Sequence, residues 1–169
     1  MTYQTPGPEV IEQLKAAVPG RVYTGGDIKE DYAHDEMPIY GTRMPDAVVE
    51  TLTTEEVAAV CKICYENDVP IVPRGAGTGL CGGCVAQAGG IIIDTSKMNQ
   101  ILGYDLENFT VRVQSGVLLN DLDNDCLEHD VMYPPDPGEK FATVGGNVAA
   151  NAGGMRASST APPGTMSGP

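Results

Sequence analysis

The sequence predicts a domain of mixed helices and strands, α/β or α+β, and three observations carry that prediction. Apolar positions switch between helical and strand spacing through the first 130 residues, the switches fall at Gly, Pro and Asn, and beyond residue 134 periodicity gives way to Pro, Gly, Ala and Asn. The first helix is expected over Pro8–Val18, where Val10, Ile11, Leu14 and Val18 form one apolar stripe and Pro19-Gly20 ends it. Residues 20–45 mix polar and turn-forming types and point to no element. Ala47-Val48-Val49 is a short strand. Thr53 then caps a helix running to about Asn67, with Glu56 completing a capping box and Val57, Val60, Cys61 and Cys64 on the buried side. Val69–Val72 and Ile91–Asp94 are buried strands, and Phe109–Gln114 alternates as a half-buried strand does. Gly116 opens a helix to about His129 with Leu118, Leu122 and Cys126 on one side.

Charge narrows the possible partners. Among 169 residues there are 10 Lys+Arg and 23 Asp+Glu, a formal net charge of −13. That balance excludes a nucleic-acid backbone or an anionic membrane surface, which need a basic footprint. No apolar run approaches the roughly 20 residues of a membrane span. The stretch MTYQTPGPEV has no basic or apolar region of a signal peptide. Five cysteines, an odd count, point to reduced thiols, so a cytoplasmic protein is expected.

The densest signal is Pro73-Arg74-Gly75-Ala76-Gly77-Thr78-Gly79-Leu80-Cys81-Gly82-Gly83, directly after a strand, with five glycines in the nine residues from Gly75 to Gly83. Glycines so spaced let backbone N–H groups turn toward a phosphate or pyrophosphate without a positive side chain. A nucleoside-triphosphatase loop would end in Gly-Lys-Ser/Thr, and no Lys occurs between Arg74 and Lys97. The Rossmann fingerprint has a literal match at Gly77-Thr78-Gly79-Leu80-Cys81-Gly82, with Asp94 where a ribose-binding acid would stand. Only eight residues separate Gly82 from Ile91, three of them Gly, too few for a crossover helix. A pyrophosphate loop outside a Rossmann unit remains.

Ile71-Val72-Pro73-Arg74-Gly75-Ala76-Gly77-Thr78-Gly79-Leu80 closely resembles the pyrophosphate loop of the vanillyl-alcohol-oxidase/PCMH superfamily of FAD enzymes, most of all its glycolate oxidase catalytic subunit and D-lactate dehydrogenase branch. Further matching motifs follow in order: Gly90–Asp94 to Met98-Asn99, Val113–Val117, Tyr133–Gly138, Ala142–Asn147 and Asn151–Gly154. The resemblance covers about residues 8–157 and implies the first subdomain of a PCMH-type FAD-binding domain, residues 1–157 being part of that domain. It implies non-covalent FAD, since no His lies in the glycine loop. The cofactor-binding residues it implies are Pro73, Arg74, Gly75, Ala76, Gly77, Thr78, Gly79, Gly82, Gly83, Pro135, Asp136, Gly138, Thr143, Gly145, Gly146, Asn147, Asn151 and Gly153, acting mainly through the backbone. Arg74 admits a second role, as a structural cation paired with a carboxylate.

Thr143–Ala150 admits two readings: a helix start that offers N–H groups to an anion, or close helix packing that also selects Gly and Ala. Cys61-x-x-Cys64 and Cys81-x-x-Cys84, 16 residues apart, formally suit a zinc ribbon. The first pair falls on an amphipathic helix, so buried thiols and no metal are expected. His34 and His129 are expected to be surface or capping residues.

The resemblance also implies a second FAD subdomain and a cap domain, both absent from these 169 residues, so an inactive N-terminal fragment is expected. Its implied partners in the full-length enzyme are a 2-hydroxy-acid substrate and an electron-transfer subunit. A base and a carboxylate-binding cation would serve oxidation of that substrate, and no residue here is assigned to either role; Arg43 and Arg156 are only guesses. Residues 158–169 are expected to be a non-native tail: read one base out of register, chosen codons for Ser158–Ser167 give V-K-Y-G-T-T-R-D-Y-V, like the family's continuation. Two alternatives stand beside the enzyme reading: a stand-alone flavin- or nucleotide-binding module completed by a second chain, and a zinc-binding interaction domain.

Overall fold

The computed structural model describes residues 3–135 and 137–154. The chain divides into two compact units, with the division between Lys97 and Met98.

The first unit is a four-stranded sheet with two helices. Its elements are α1 (Pro8–Ala17), β1 (Val22–Thr24), β2 (Ala47–Glu50), α2 (Thr54–Glu66), β3 (Ile71–Arg74) and β4 (Ile91–Asp94). Short 3-10 turns at Gly25–Asp27, Glu30–Ala33 and Pro38–Tyr40 fill the stretch that carried no signal. The strand order is β1-β2-β4-β3, with β1 antiparallel to β2 and the other pairs parallel.

Both faces of this sheet are covered, which is why Ala47–Val49 and Ile91–Ile93 read as continuous apolar runs. Ala47, Val49, Ile91 and Ile93 pack with Val10 and Leu14 of α1 and Val60 and Cys64 of α2. Val48 and Ile92 point the other way, against Ile28, Ala86 and the half-buried Tyr23, Tyr32 and Val72. The expected helices are present, and the Thr53 side chain accepts the Glu56 amide at 3.2 Å. The Glu56 carboxylate reaches back to the Leu52 amide at 2.7 Å and also binds Arg21.

The strand expected at Val69–Val72 lies two residues later. Val69 is still tied to the helix end, donating to the Cys64 carbonyl at 2.9 Å, and pairing with β4 starts at Ile71. Pro73 is tolerated because β3 is a sheet edge. Gly90 admits no other residue: its φ is +93° and a Cβ would lie 2.2 Å from the Pro70 carbonyl oxygen.

The second unit contains the hairpin β5 (Ile101–Asp105) and β6 (Thr110–Val113), then α3 (Leu119–Glu128) and α4 (Val144–Ala149). Its core is Val117, Leu122, Cys126 and Val144, flanked by half-buried Tyr104, Val111, Val113 and Tyr133. Phe109, expected to begin a strand, instead sits in the hairpin turn at φ +52° and is exposed. The helix expected from Gly116 starts at Leu119. The intervening backbone is held elsewhere: Gly116 donates to the Met98 carbonyl at 2.7 Å, and Leu118 forms a bridge with Thr143. The suspected foreign tail at residues 158–169 lies outside the described residues.

Candidate functional site

The glycine loop leaves the carboxyl end of β3, the end at which parallel sheets place ligands. Its first residue, Arg74, is 8 % exposed, and its guanidinium makes three bonds. Nη1 donates to the His34 carbonyl at 2.9 Å and to Cys84 Sγ at 3.3 Å; Nη2 donates to the Asp31 carbonyl at 2.8 Å. The charge also lies 5.3 Å from the centre of the Tyr32 ring. Arg74 is therefore a structural cation, but its partners are backbone carbonyls and a thiol, and among the described residues no carboxylate pairs with it. The Asp35 carboxylate accepts instead from the backbone amides of Met37 and Gly82.

Above this cation, Gly77 has a φ of +80°, and a Cβ there would lie 2.2 Å from Arg74 Nη2. The loop packs directly on the guanidinium. Among the described residues, no protein acceptor takes the N–H of Gly75, Ala76, Gly77, Thr78 or Gly79. Further along, Gly82 donates to Asp35 Oδ2 at 2.6 Å, and the Gly79 carbonyl accepts the Glu36 amide at 3.1 Å. Pro73 is exposed and stands before the loop on β3; Gly83 has open space around its α-carbon. Asp35, only 3 % exposed, was missed from the sequence because nothing near it in the chain marks it.

Asp94, considered for a ribose contact, is buried and engaged. Its carboxylate accepts the Tyr32 hydroxyl at 2.6 Å and the Ser96 amide at 2.7 Å. Burial, then the bond to Asp94, push the Tyr32 hydroxyl well above the ordinary tyrosine range. Burial likewise raises the Cys84 thiol, an effect the Arg74 charge opposes.

The other predicted residues belong to the second unit. Thr143 caps α4, its Oγ1 accepting the Gly146 amide at 3.2 Å. The Val144 amide donates to the Val117 carbonyl and the Gly145 amide to that of Ser115, both at 2.8 Å. The first three helical N–H groups thus have protein acceptors, which supports the packing reading of this cluster. A Cβ on Gly145 would lie 2.7 Å from Ser115 Cβ, so Gly is needed for contact. Asn147 differs: it is 3 % exposed and its Nδ2 is buried with no hydrogen-bond partner. Asn151 holds a positive φ of +48° just past α4, and Gly153 follows it half-buried. Pro135 is buried, Gly138 is exposed, and Asp136 lies outside the described residues, as does Arg156.

All five cysteines are free; Cys61 and Cys64 lie within α2, as expected, and Cys81 is exposed. Among the described residues no group of three or more His, Cys, Asp or Glu is placed to hold a metal ion. His34 is half-buried, with its Nδ1 at 2.9 Å from the Asp35 carbonyl. His129 caps α3, with Nδ1 at 2.9 Å from the Asp125 carbonyl and its ring stacked on Tyr104. No helix among the described residues is long and apolar enough to cross a membrane.

Unpartnered N–H groups over a buried cation, and separately an orphaned amide nitrogen, fit an anionic, hydrogen-bond-accepting cofactor such as FAD. Comparison with known proteins agrees. A family profile described as an FAD binding domain matches residues 45–162. The D-lactate dehydrogenase of Anaerostipes hadrus is 60 % identical over 155 residues, covering 92 % of this chain and 33 % of that protein. Glycolate oxidase subunit GlcD of Bacillus subtilis is 42 % identical over 154 residues, covering 90 % and 30 %. The chain thus spans about a third of the length of these curated relatives. Among solved structures, p-cresol methylhydroxylase with substrate bound is 26 % identical with a TM-score of 0.72, covering 85 % of this chain and 29 % of that one. Alkyldihydroxyacetonephosphate synthase, at 22 % identity, shares the fold with a TM-score of 0.81 over 93 % of this chain and 34 % of its own. The motif resemblance is borne out, and the chain belongs to the FAD binding domain family of the vanillyl-alcohol-oxidase/PCMH superfamily, whose cofactor here is FAD.

Proposed function

We propose that this chain is the FAD-binding portion of a flavin-dependent oxidase or dehydrogenase for a 2-hydroxy acid of the D-lactate or glycolate class. The observation that carries the cofactor part is the run of free N–H groups from Gly75 to Gly79 above the unpaired charge of Arg74. These groups would hold the pyrophosphate: the amides bind its oxygens, and Arg74 adds a favourable field from below. When bound, FAD supplies the two-electron acceptor for oxidation at the hydroxyl-bearing carbon. The substrate class rests on the relatives named D-lactate dehydrogenase and glycolate oxidase subunit. The word subunit in the second name supports a partner chain, which this reading takes to be an electron-transfer subunit. The five free thiols agree with a reducing, cytoplasmic setting.

Two measurements test this. Calorimetric titration of the chain with FAD is expected to give saturable binding weaker than about 1 μM, since these residues span about a third of the length of the relatives. Supplying the remaining two-thirds of the Anaerostipes hadrus relative as a separate polypeptide should restore dye reduction with D-lactate or glycolate. Absence of FAD binding at ~1 mM would sink the cofactor assignment. Restored activity on neither acid would sink the substrate assignment.

A further inference from the structure

We propose that the segment from Asp31 to Glu36 is a clamp that sets the shape of the pyrophosphate loop, with Asp35 and Arg74 as its positioning residues. The inference rests on the cofactor reading of that loop and adds how its donors are held. The segment grips the loop at both ends. At the start, Arg74 donates to the carbonyls of Asp31 and His34. At the far end, Asp35 Oδ2 takes the Gly82 amide and Glu36 donates to the Gly79 carbonyl. The stretch with unpartnered N–H groups runs between these anchors.

The residue types suit the task. Asp35 accepts at both oxygens, from the Met37 amide at 2.9 Å and the Gly82 amide at 2.6 Å. An asparagine accepts at one and would turn its NH₂ against the other amide. Arg74 holds two carbonyls and a sulfur through a planar fork, which the single ammonium of lysine does not reproduce. The clamp is itself fixed to the sheet, since the Tyr32 hydroxyl donates to Asp94 at the end of β4. The strand ladder needs none of these contacts. They fix an excursion whose own amides are left open, an arrangement suited to binding by preorganised donors.

The test is an amide NMR titration of the full chain with ADP as the pyrophosphate probe, at a temperature where each protein is folded. In the wild-type chain, ADP should shift the amides of Gly75, Gly77 and Gly79. Asp35→Asn and Arg74→Lys should keep dispersed spectra but bind ADP at least about tenfold more weakly. A purely structural role would lower the unfolding temperature and leave that affinity unchanged. Unmoved loop amides in the wild-type chain would overturn the cofactor reading itself. Shifted amides with unaltered affinity in both variants would overturn the clamp alone. Collapse of both spectra would also overturn it, by making these residues determinants of the fold. If only one variant folds, its affinity decides.

Discussion

Arg21 and Glu56, on β1's approach and on α2, form a two-pronged ion pair: Nη1 lies 2.9 Å and Nη2 2.5 Å from the two carboxylate oxygens. Both side chains are mostly shielded, and Arg21 also donates to the Glu50 carbonyl at 2.7 Å. The Arg21 guanidinium holds the Glu56 carboxyl down at about 2, below the ordinary glutamate value.

The folded state therefore binds fewer protons at Glu56 than the unfolded state. The pair's contribution is complete above about pH 5 and is lost as pH falls toward 2. Glu56→Gln should cost about 1–2 kcal/mol at pH 7 after screening by solvent, and less at pH 3. Urea unfolding at both values checks this. An equal loss at pH 3 would contradict it.

Gly90→Ala should prevent the sheet from forming. The new Cβ meets the Pro70 carbonyl oxygen at 2.2 Å in a conformation with φ +93°. Because the obstacle is backbone between β3 and β4, relief requires separating those strands, a cost of several kcal/mol. Soluble expression with wild-type circular dichroism would refute it.

Gly145→Ala tests the packing role of the second glycine cluster. Its Cβ would approach Ser115 Cβ to 2.7 Å and the Ser115 carbonyl oxygen to 2.9 Å, without φ strain. A loss of about 1–3 kcal/mol is expected from overpacking. Ser115→Gly should restore part of it in the double variant, as a thermal-melting cycle would reveal. Additive losses would exclude the contact.

Alkylation should rank the cysteines by exposure. Cys81 is exposed and should react first with iodoacetamide at pH 8; Cys64 and Cys126 are buried and should stay unlabelled until denaturant is added. Burial pushes the Cys64 thiol up to about 11, which removes the reactive thiolate as well as access. Peptide mass spectrometry gives the order, and early labelling of Cys64 would contradict the α2 packing.

Local signals were legible wherever the physics is local. The Thr53 cap, the stripe of Val57, Val60 and Cys64, and the Ile91–Asp94 run needed only neighbours to be read. β1 was not legible, because Val22–Thr24 becomes a strand only through its pairing with β2. β5 was hidden by the irregularity between Ile101 and Gly103. The glycine loop was evident, yet its supports were not. Arg74 satisfies itself on carbonyls 40 and 43 residues away, and Asp35 on an amide 47 residues ahead, none of which leaves a mark in composition or spacing.

The strand order β1-β2-β4-β3 has a consequence for how the chain comes off the ribosome. β4, which stands between β2 and β3, is the last of the four strands to be synthesised, and β2 and β3 have no edges that meet without it. A nascent chain that has emerged only through β3 carries two apolar parallel strands with nothing between them. Those strands wait, exposed to aggregation, until Ile91–Asp94 emerges and joins both in a single step.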